Sequence, residues 1–217
     1  IYTLSLHDAL PIYELVLLPA AREAGIGAAR GPLLRRLPRR VEPADLLQGA
    51  WAVGGDGAEP IPAPSGCVLV VGPPGSGRST ALRALSSALG RGPGGADDGP
   101  LVVDDLDRAG APVQARVEQA VAQGRQVLAS ATTERVAATY RGALAVLRER
   151  GDRLVLWPGL GPAAQVAGMS LKEATDPRAL VLPGRGALVA RGAVVPVQVV
   201  DAPAAQSPPR DGRECST

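Results

Sequence analysis

The stretch GPPGSGRST, residues 72–80, constrains the fold of this chain more than any other part of the sequence. The apolar run CVLVV at 67–71 precedes it, and such a short continuous run is typical of a buried parallel strand. Leucines at helical spacing follow through residues 82–89, and Gly90 ends them. Glycines let the backbone curl so that N–H groups point inward, and a helix N-terminus favours an anion. This order predicts a phosphate-binding loop, with a Gly-Pro turn that holds no ligand as the alternative.

The residues of this loop have distinct predicted roles. Ser79 occupies the position whose hydroxyl binds Mg²⁺ in the pattern G-x-x-x-x-G-K-[ST]. Arg78 stands where that pattern has lysine, and its longer, planar guanidinium is expected to bind phosphate without taking the same position. We therefore expect nucleotide affinity to survive better than the positioning that catalysis needs. The predicted nucleotide-binding residues of the loop are Gly72, Pro73, Pro74, Gly75, Ser76, Gly77, Arg78, Ser79 and Thr80.

Two acids follow the next apolar run, LVV at 101–103. A strand that ends in an acid places a carboxylate at the carboxyl edge of a parallel sheet, where ligands bind. Asp104 is therefore predicted to hold Mg²⁺, directly or through water. Asp105 falls where a catalytic base, usually glutamate, polarises the attacking water, and it is one methylene shorter. The alternative for both acids is a helix cap or a solvated turn.

Two weaker signals lie elsewhere. Thr132 follows the apolar run QVLAS at 126–130 and is a candidate sensor of the terminal phosphate, although a helix cap explains it equally well. A basic stretch near the start of the chain reads as a solvated linker, with contact to DNA or an anionic membrane as the alternative. Its members are Arg35, Arg36, Arg39 and Arg40.

The remaining chain alternates strands with helices. Apolar runs at 101–103, 126–130 and 153–157 predict buried strands, and a long helix is expected from Thr133 through Leu147. This pattern predicts an α/β fold with a short parallel sheet flanked by helices. The final runs, ALVA and VVPVQVV, predict an antiparallel strand addition at the C-terminal end, with Pro196 suited to an edge strand.

Composition divides the chain into four expected parts. Residues 1–13 are expected to be artefactual or disordered, because 2–12 read YTLSLHDALPI and resemble a translated sequencing adapter. Residues 14–66 are a lead-in segment with short strands, 67–200 a P-loop NTPase domain, and 201–217 a polar, disordered tail. The formal net charge of +2 demands no nucleic-acid partner, and the 2 cysteines lack the spacing of a metal site.

Together these elements resemble the last ATPase-like module of FtsK/SpoIIIE-type proteins, which include DNA translocases and the multi-module type VII secretion ATPases of actinobacteria. The resemblance covers about residues 37–200 and rests on LPRRV, VLVVGPPGSGRSTALRAL, LVVDDLDR, VLASATTER and LVLPGRGALVARGAVVPVQV. It implies a RecA-like P-loop NTPase core that binds ATP and Mg²⁺. It also implies other ATPase modules of the same parent chain or a hexamer as partners, and a cytoplasmic position beneath a membrane-anchored parent.

Three functional hypotheses remain open. The first is a degenerate module that binds ATP weakly, hydrolyses it slowly or not at all, and serves assembly or the docking of a secreted protein. Arg78, Asp105 and the short interval between the two motifs favour it, because that interval leaves no room for a further strand and helix of a RecA-like core. The second is a competent ATP-driven translocase of DNA or protein. The third is a structural interaction domain with an empty loop, so enzymatic activity is left open.

Overall fold

A computed structural model describes residues 35–90, 99–175 and 181–201. The adapter-like residues 2–12 lie outside these ranges, as does the predicted tail beyond Asp201. The described residues form an α/β unit around a single eight-stranded sheet with the strand order β2-β1-β8-β7-β6-β3-β5-β4. The strands are β1 (Ala50–Gly54), β2 (Glu59–Pro62), β3 (Val68–Val71), β4 (Leu101–Val103), β5 (Val127–Ala131), β6 (Asp152–Leu156), β7 (Arg185–Ala190) and β8 (Ala193–Val199).

Five α-helices accompany the sheet in the described ranges. They are α1 (Arg78–Ala88), α2 (Ala111–Ala122), α3 (Thr133–Ala138), α4 (Ala143–Arg150) and α5 (Ala163–Ala167). Short 3-10 helices lie at Pro43–Asp45, Leu106–Arg108 and Lys172–Ala174. None of the helices in these ranges has both the length and the apolar character that crossing a membrane requires.

The parallel half of the sheet consists of β6, β3, β5 and β4, in that order. All four residues of β3 are buried, which agrees with the continuous apolar run that predicts this strand. Leu69 and Val71 pack with α2 to α5 on one face, whereas Val68 and Val70 pack with α1 on the other. The parallel sheet covered on both faces is therefore confirmed, and burial of each such side chain contributes about 1.5–3 kcal/mol.

The antiparallel half consists of β7, β8, β1 and β2. The predicted C-terminal strand addition is confirmed, but β8 lies between β7 and β1 and is no edge strand. The edge position expected for Pro196 is therefore wrong. The proline is tolerated because β1 pairs only with residues 197–199, so Pro196 lies beyond that pairing. Its carbonyl oxygen still accepts a hydrogen bond from Gly55 N–H at 3.0 Å.

The structure also differs from the helix that the sequence predicts after β5. The single long helix from Thr133 through Leu147 is wrong: α3 ends at Ala138, and α4 begins after Gly142, whose φ is +82°. This break leaves Tyr140 exposed instead of packed.

The short interval between the phosphate loop and Asp104 corresponds to a feature of the sheet. Strand β4, which precedes Asp104, pairs only with β5 and lies at the end of the sheet. No strand is present between α1 and β4 in the described residues, which exclude 91–98.

Candidate functional site

The predicted phosphate loop joins β3 to α1 at the carboxyl edge of the parallel strands. Gly75 and Gly77 have φ of +82° and +97°, conformations that favour glycine. Ser76 is fully buried between them, and its hydroxyl has no hydrogen-bond partner in the described structure. Gly72 faces this hydroxyl so closely that a Cβ there would clash with it. The loop is therefore a curled backbone around a buried polar atom without a partner in the described structure.

The loop is fastened to the beginning of β7. Gly184 N–H donates to the Ser76 carbonyl oxygen at 2.8 Å, and a Cβ on Gly77 would come within 2.9 Å of the same nitrogen. The ring of Trp157, at the end of β6, lies beside Gly75 and donates from Nε1 to the Leu182 carbonyl oxygen at 2.7 Å. Sequence reasoning gave Trp157 no part in the site, because these contacts join segments far apart along the chain. The far strands thus hold the loop in its curled form.

Helix α1 begins at Arg78 without a side-chain cap. Gly77 occupies the N-cap position in a left-handed conformation, and no side chain bonds to the first N–H groups of the helix. The initial N–H groups of an α-helix have no partner within the helix, and the macrodipole adds positive potential there. Ser79 and Thr80 lie in this first turn. The arrangement therefore offers main-chain donors to an anion that enters the loop.

Ser79 and Asp104 lie in direct contact, as their positions after β3 and β4 lead us to expect. Ser79 Oγ donates to Asp104 Oδ2 at 2.5 Å, Asp105 N–H donates to Oδ1 at 3.1 Å, and Ser130 Oγ also donates to Oδ1. Burial alone would raise the pKa of Asp104. The three hydrogen bonds and the charge of Arg78 outweigh it, and the pKa lies below its ordinary value. The carboxylate is therefore held ionised, as a cation ligand must be.

These two side chains fit a magnesium ion that is held mainly by other oxygens. Among the described residues, no three acidic, histidine or cysteine side chains gather at one point. Magnesium in phosphate sites is typically bound by one or two protein oxygens, with phosphate and water completing the shell. Ser79 and Asp104 supply such a pair. Ser130 was not among the site residues predicted from the sequence, but its position on β5, directly beside β4, places its hydroxyl on the same carboxylate.

Arg78 and Asp105, the two departures from the usual motif, contact each other. Arg78 Nη2 lies 2.9 Å from Asp105 Oδ1, and the two side chains are 11% and 41% exposed. The other guanidinium nitrogen, Nη1, is buried without a partner in the described structure. Asp105 has a left-handed backbone with φ +49°, and its N–H donates to Ser130 Oγ at 2.9 Å. The carboxylate predicted to act as a base is therefore taken up in an ion pair with the loop.

Thr132 lies at the same edge of the sheet but contacts a different acid. Its hydroxyl donates to Asp107 Oδ2 at 2.7 Å, and its N–H lies 3.3 Å from the same oxygen. Thr132 precedes α3 without making a side-chain cap bond. Asp107, which sequence reasoning did not select, also carries a buried oxygen, Oδ1, that has no partner in the described part of the chain.

A cleft of about 280 Å³ opens beside the N-terminus of α1. Gly77 and Thr80 line one side, and Arg39 and Arg40 of the lead-in segment line another. The lead-in segment is held there by Arg185, whose Nη2 donates to the carbonyl oxygens of Leu37 at 3.3 Å and Pro38 at 2.6 Å. Burial lowers the pKa of Arg185 from its ordinary value. Two arginines of the basic stretch thus line this cleft, and all four are exposed, as the prediction of a solvated segment expects.

A scan of protein-family models finds no match to this sequence, and a search of curated proteins finds none. Solved structures do resemble its fold. A protein described as an ATPase gives a TM-score of 0.50 at 18% identity, over 77% of this chain and 97% of that chain. ATPases 2 and 3 of EssC from Geobacillus thermodenitrificans give 0.54 at 12% identity, over 76% of this chain and 45% of theirs.

ATPases 2 and 3 of Thermomonospora curvata EccC, in complex with a signal sequence peptide, give a TM-score of 0.50 at 17% identity. That match covers 78% of this chain and 44% of the EccC chain. The chain thus spans less than half the length of the EssC and EccC structures. At these identities the likeness concerns the fold alone. The protein has the α/β fold of P-loop ATPase domains, including the ATPase domains of type VII secretion proteins.

Proposed function

We propose that this chain is a nucleotide-binding module of a larger FtsK/SpoIIIE-like secretion or translocation ATPase, and that it hydrolyses ATP weakly or not at all. The observation that carries the proposal is the contact between Ser79 and Asp104 beside an uncapped helix N-terminus. This contact joins a main-chain anion site to a pair of oxygens suited to Mg²⁺. The proposed module extends over residues 67–200, with 14–66 as its lead-in segment.

The proposed binding mode follows from the loop. The phosphates would lie against the loop and the first turn of α1, where the N–H groups of Gly75, Gly77 and the first helical residues would provide donors. The N–H groups of Gly72 and Ser76 already donate to the carbonyl oxygens of Ala131 and Pro73, and the two prolines have none. Ser79 and Asp104 would hold Mg²⁺, which when bound offsets the negative charge of the phosphates. The cleft of about 280 Å³ that Thr80 and Arg39 line would receive the nucleoside beside the phosphates.

Weak hydrolysis follows from the same contacts. A catalytic base must be free to accept a proton from water, but the carboxylate of Asp105 is engaged by Arg78 at 2.9 Å. The guanidinium of Arg78 in turn is held by the carboxylate of Asp105, which follows β4. Small displacements of such groups lower a rate by large factors because the transition state requires them at defined distances.

The proposed partners are other ATPase modules of one parent chain or of a hexamer, and a secreted protein as the docked substrate. The EccC structure of similar fold contains a signal sequence peptide, and this supports a peptide over DNA as the cargo. The modest net charge of +2 points the same way, because DNA-tracking surfaces are strongly basic. We place the module on the cytoplasmic side of a membrane, attached to it through its parent chain.

Nucleotide titration tests the proposal. Unfolding temperature is measured with and without Mg-ATP and Mg-ADP for the wild type, Ser79→Ala, Asp104→Asn and the control Ser86→Ala, which lies later in α1. We expect nucleotide to raise the unfolding temperature of the wild type and the control, because ligand that binds only the folded state stabilises it. The shift should shrink in the two site variants. Absence of any shift in the wild type would favour an interaction domain with an empty loop.

Turnover separates the proposed module from a competent translocase. Phosphate release is followed at saturating Mg-ATP, for the chain alone and with added peptide or duplex DNA. We expect a rate far below the 1–10³ s⁻¹ that is typical of enzymes, of the order of 10⁻³ s⁻¹. A rate near that typical range would contradict the proposal and favour the translocase.

A further inference from the structure

We propose that the Arg78–Asp105 ion pair makes this site bind a nucleoside diphosphate more tightly than the corresponding triphosphate. The inference rests on the proposed function, since it concerns selectivity within the same loop. In motifs of this type the cation at position 78 meets the terminal phosphates of the bound nucleotide. Here its charge is already met by an internal carboxylate 2.9 Å away. The third phosphate therefore meets a cation that is already neutralised.

The charges are distributed unevenly along the site. The end near Gly77 contains main-chain donors, and Arg39 and Arg40 line the same cleft. The opposite end contains the carboxylates of Asp104 and Asp105 and one guanidinium. Magnesium held by Asp104 would offset that carboxylate but not its neighbour. A phosphate that reaches this end thus competes with the Asp105 carboxylate for the same guanidinium, and the two anions repel each other. In the proposed binding mode the third phosphate is the one that reaches this end.

Arg78 has a second guanidinium nitrogen that the ion pair does not use. Its Nη2 is held by Asp105, whereas its Nη1 is buried without a partner in the described residues. A planar guanidinium can bind two anionic groups at once through different nitrogens. The side chain is only 11% exposed, so solvent screens it little. A diphosphate would take this nitrogen once the atoms that cover it shift, and the ion pair with Asp105 need not break.

Asp105 is held in place by its backbone and does not move away freely. Its left-handed conformation, φ +49° and ψ +50°, is uncommon for residues other than glycine. Its N–H donates to Ser130 Oγ at 2.9 Å and to Asp104 Oδ1 at 3.1 Å, which fixes that conformation. The carboxylate can leave Arg78 only by rotation of its own side chain. The negative charge thus remains at this end of the site.

Binding constants for ADP and ATP test the inference, measured by calorimetry with Mg²⁺ present. We expect the wild type to bind ADP about tenfold more tightly than ATP, as one like-charge contact in partly screened surroundings implies. Asp105→Asn removes the charge and tolerates the left-handed backbone. It should raise ATP affinity about tenfold and ADP affinity less than about threefold. The control Glu149→Gln removes an equal charge from an exposed position of α4 and should change neither constant.

A second variant guards against a folding defect. Asp105→Gly also suits the positive φ and removes the carboxylate, and circular dichroism checks that both variants fold. Equal affinity of the wild type for ADP and ATP would overturn the inference and leave the proposed function intact. Weaker ATP binding by Asp105→Asn would also overturn it, because that result assigns Asp105 a supporting contact with the nucleotide. If neither nucleotide binds the wild type, the proposed function fails and the inference fails with it.

Discussion

Gly77→Ala perturbs the contact by which the far strands hold the phosphate loop. Gly77 has φ +97°, and a Cβ there would lie 2.9 Å from Gly184 N and 3.6 Å from Gly184 Cα. Both are backbone atoms, and Gly184 N–H is bonded to the Ser76 carbonyl oxygen at 2.8 Å. The clash therefore cannot be relieved by turning a side chain. The loop and the start of β7 must separate to accommodate the methyl group.

The expected decrease in the free energy of unfolding of Gly77→Ala has two parts. An alanine in a left-handed conformation costs about 1–2 kcal/mol. Loss of the Ser76–Gly184 hydrogen bond adds about 0.5–1.5 kcal/mol, so we expect a decrease of about 1.5–3.5 kcal/mol in the free energy of unfolding. Gly124→Ala is the matched control, because Gly124 has φ +71° and no atom within 4 Å of an added Cβ. That variant should lose only the conformational part, about 1–2 kcal/mol.

Urea unfolding measures both free energies, and nucleotide titration follows on the same samples. Gly77→Ala should be the less stable variant by about 1 kcal/mol and should lose nucleotide binding. Gly124→Ala, at the end of α2, should bind as the wild type does. Equal destabilisation of the two variants would refute the argument, because it would mean that the contact with Gly184 adds nothing beyond the strain common to both glycines.

Three further changes test other parts of the structure. Burial raises the pKa of Asp152 against the opposing charges of nearby arginines. The folded protein therefore holds the Asp152 proton more tightly than the unfolded chain does. The free energy of unfolding then falls as pH rises through the interval just above the ordinary pKa of an aspartate. Asp152→Asn should flatten that fall in urea unfolding, and an unchanged pH profile would contradict the assignment. Arg185→Met removes the hydrogen bonds that hold the lead-in segment, so trypsin should cleave that segment faster than in the wild type; an equal rate would exclude the anchoring role. The variant Trp51→Phe retains Trp157 beside the loop, so nucleotide should change its fluorescence. Nucleotide should leave the fluorescence of Trp157→Phe unchanged, because the remaining Trp51 is buried elsewhere. The reverse pattern would place the ligand elsewhere.

The parts of the fold that sequence predicts depend on contacts between near neighbours along the chain. Strand β3, the loop and α1 are continuous, and their apolar spacing determines which faces are buried. The approach of Ser79 to Asp104 follows from one added rule, that parallel strands end at the same edge of a sheet. Their role as magnesium ligands stays a prediction, because geometry brings the oxygens together without a cation present.

The parts that sequence reasoning missed depend on contacts between distant segments. Arg185 bonds to Leu37 and Pro38 across almost the whole described chain, and no local pattern carries that information. Pro196 is a similar case. It pairs with β7 inside the sheet, and it is tolerated there because the pairing of β8 with the distant strand β1 covers only residues 197–199. The break between α3 and α4 did carry a local signal, Gly142, which the apolar spacing of the surrounding residues outweighed.

Arg78 in the phosphate loop and Asp105 after β4, the two departures from the usual patterns, are better understood as one feature than as two separate losses. Taken singly, arginine in place of lysine suggests a displaced cation, and aspartate in place of glutamate suggests a base that is too short. In the structure the longer cation reaches across to the shorter acid, and the two meet at 2.9 Å. Each substitution therefore alters the setting in which the other acts, and their energetic effects cannot be additive. Under the proposed function, main-chain donors and the Ser79–Asp104 pair would still hold phosphate, while the predicted base, Asp105, is engaged by Arg78. Retained binding with lost turnover would then have a physical cause in a single contact.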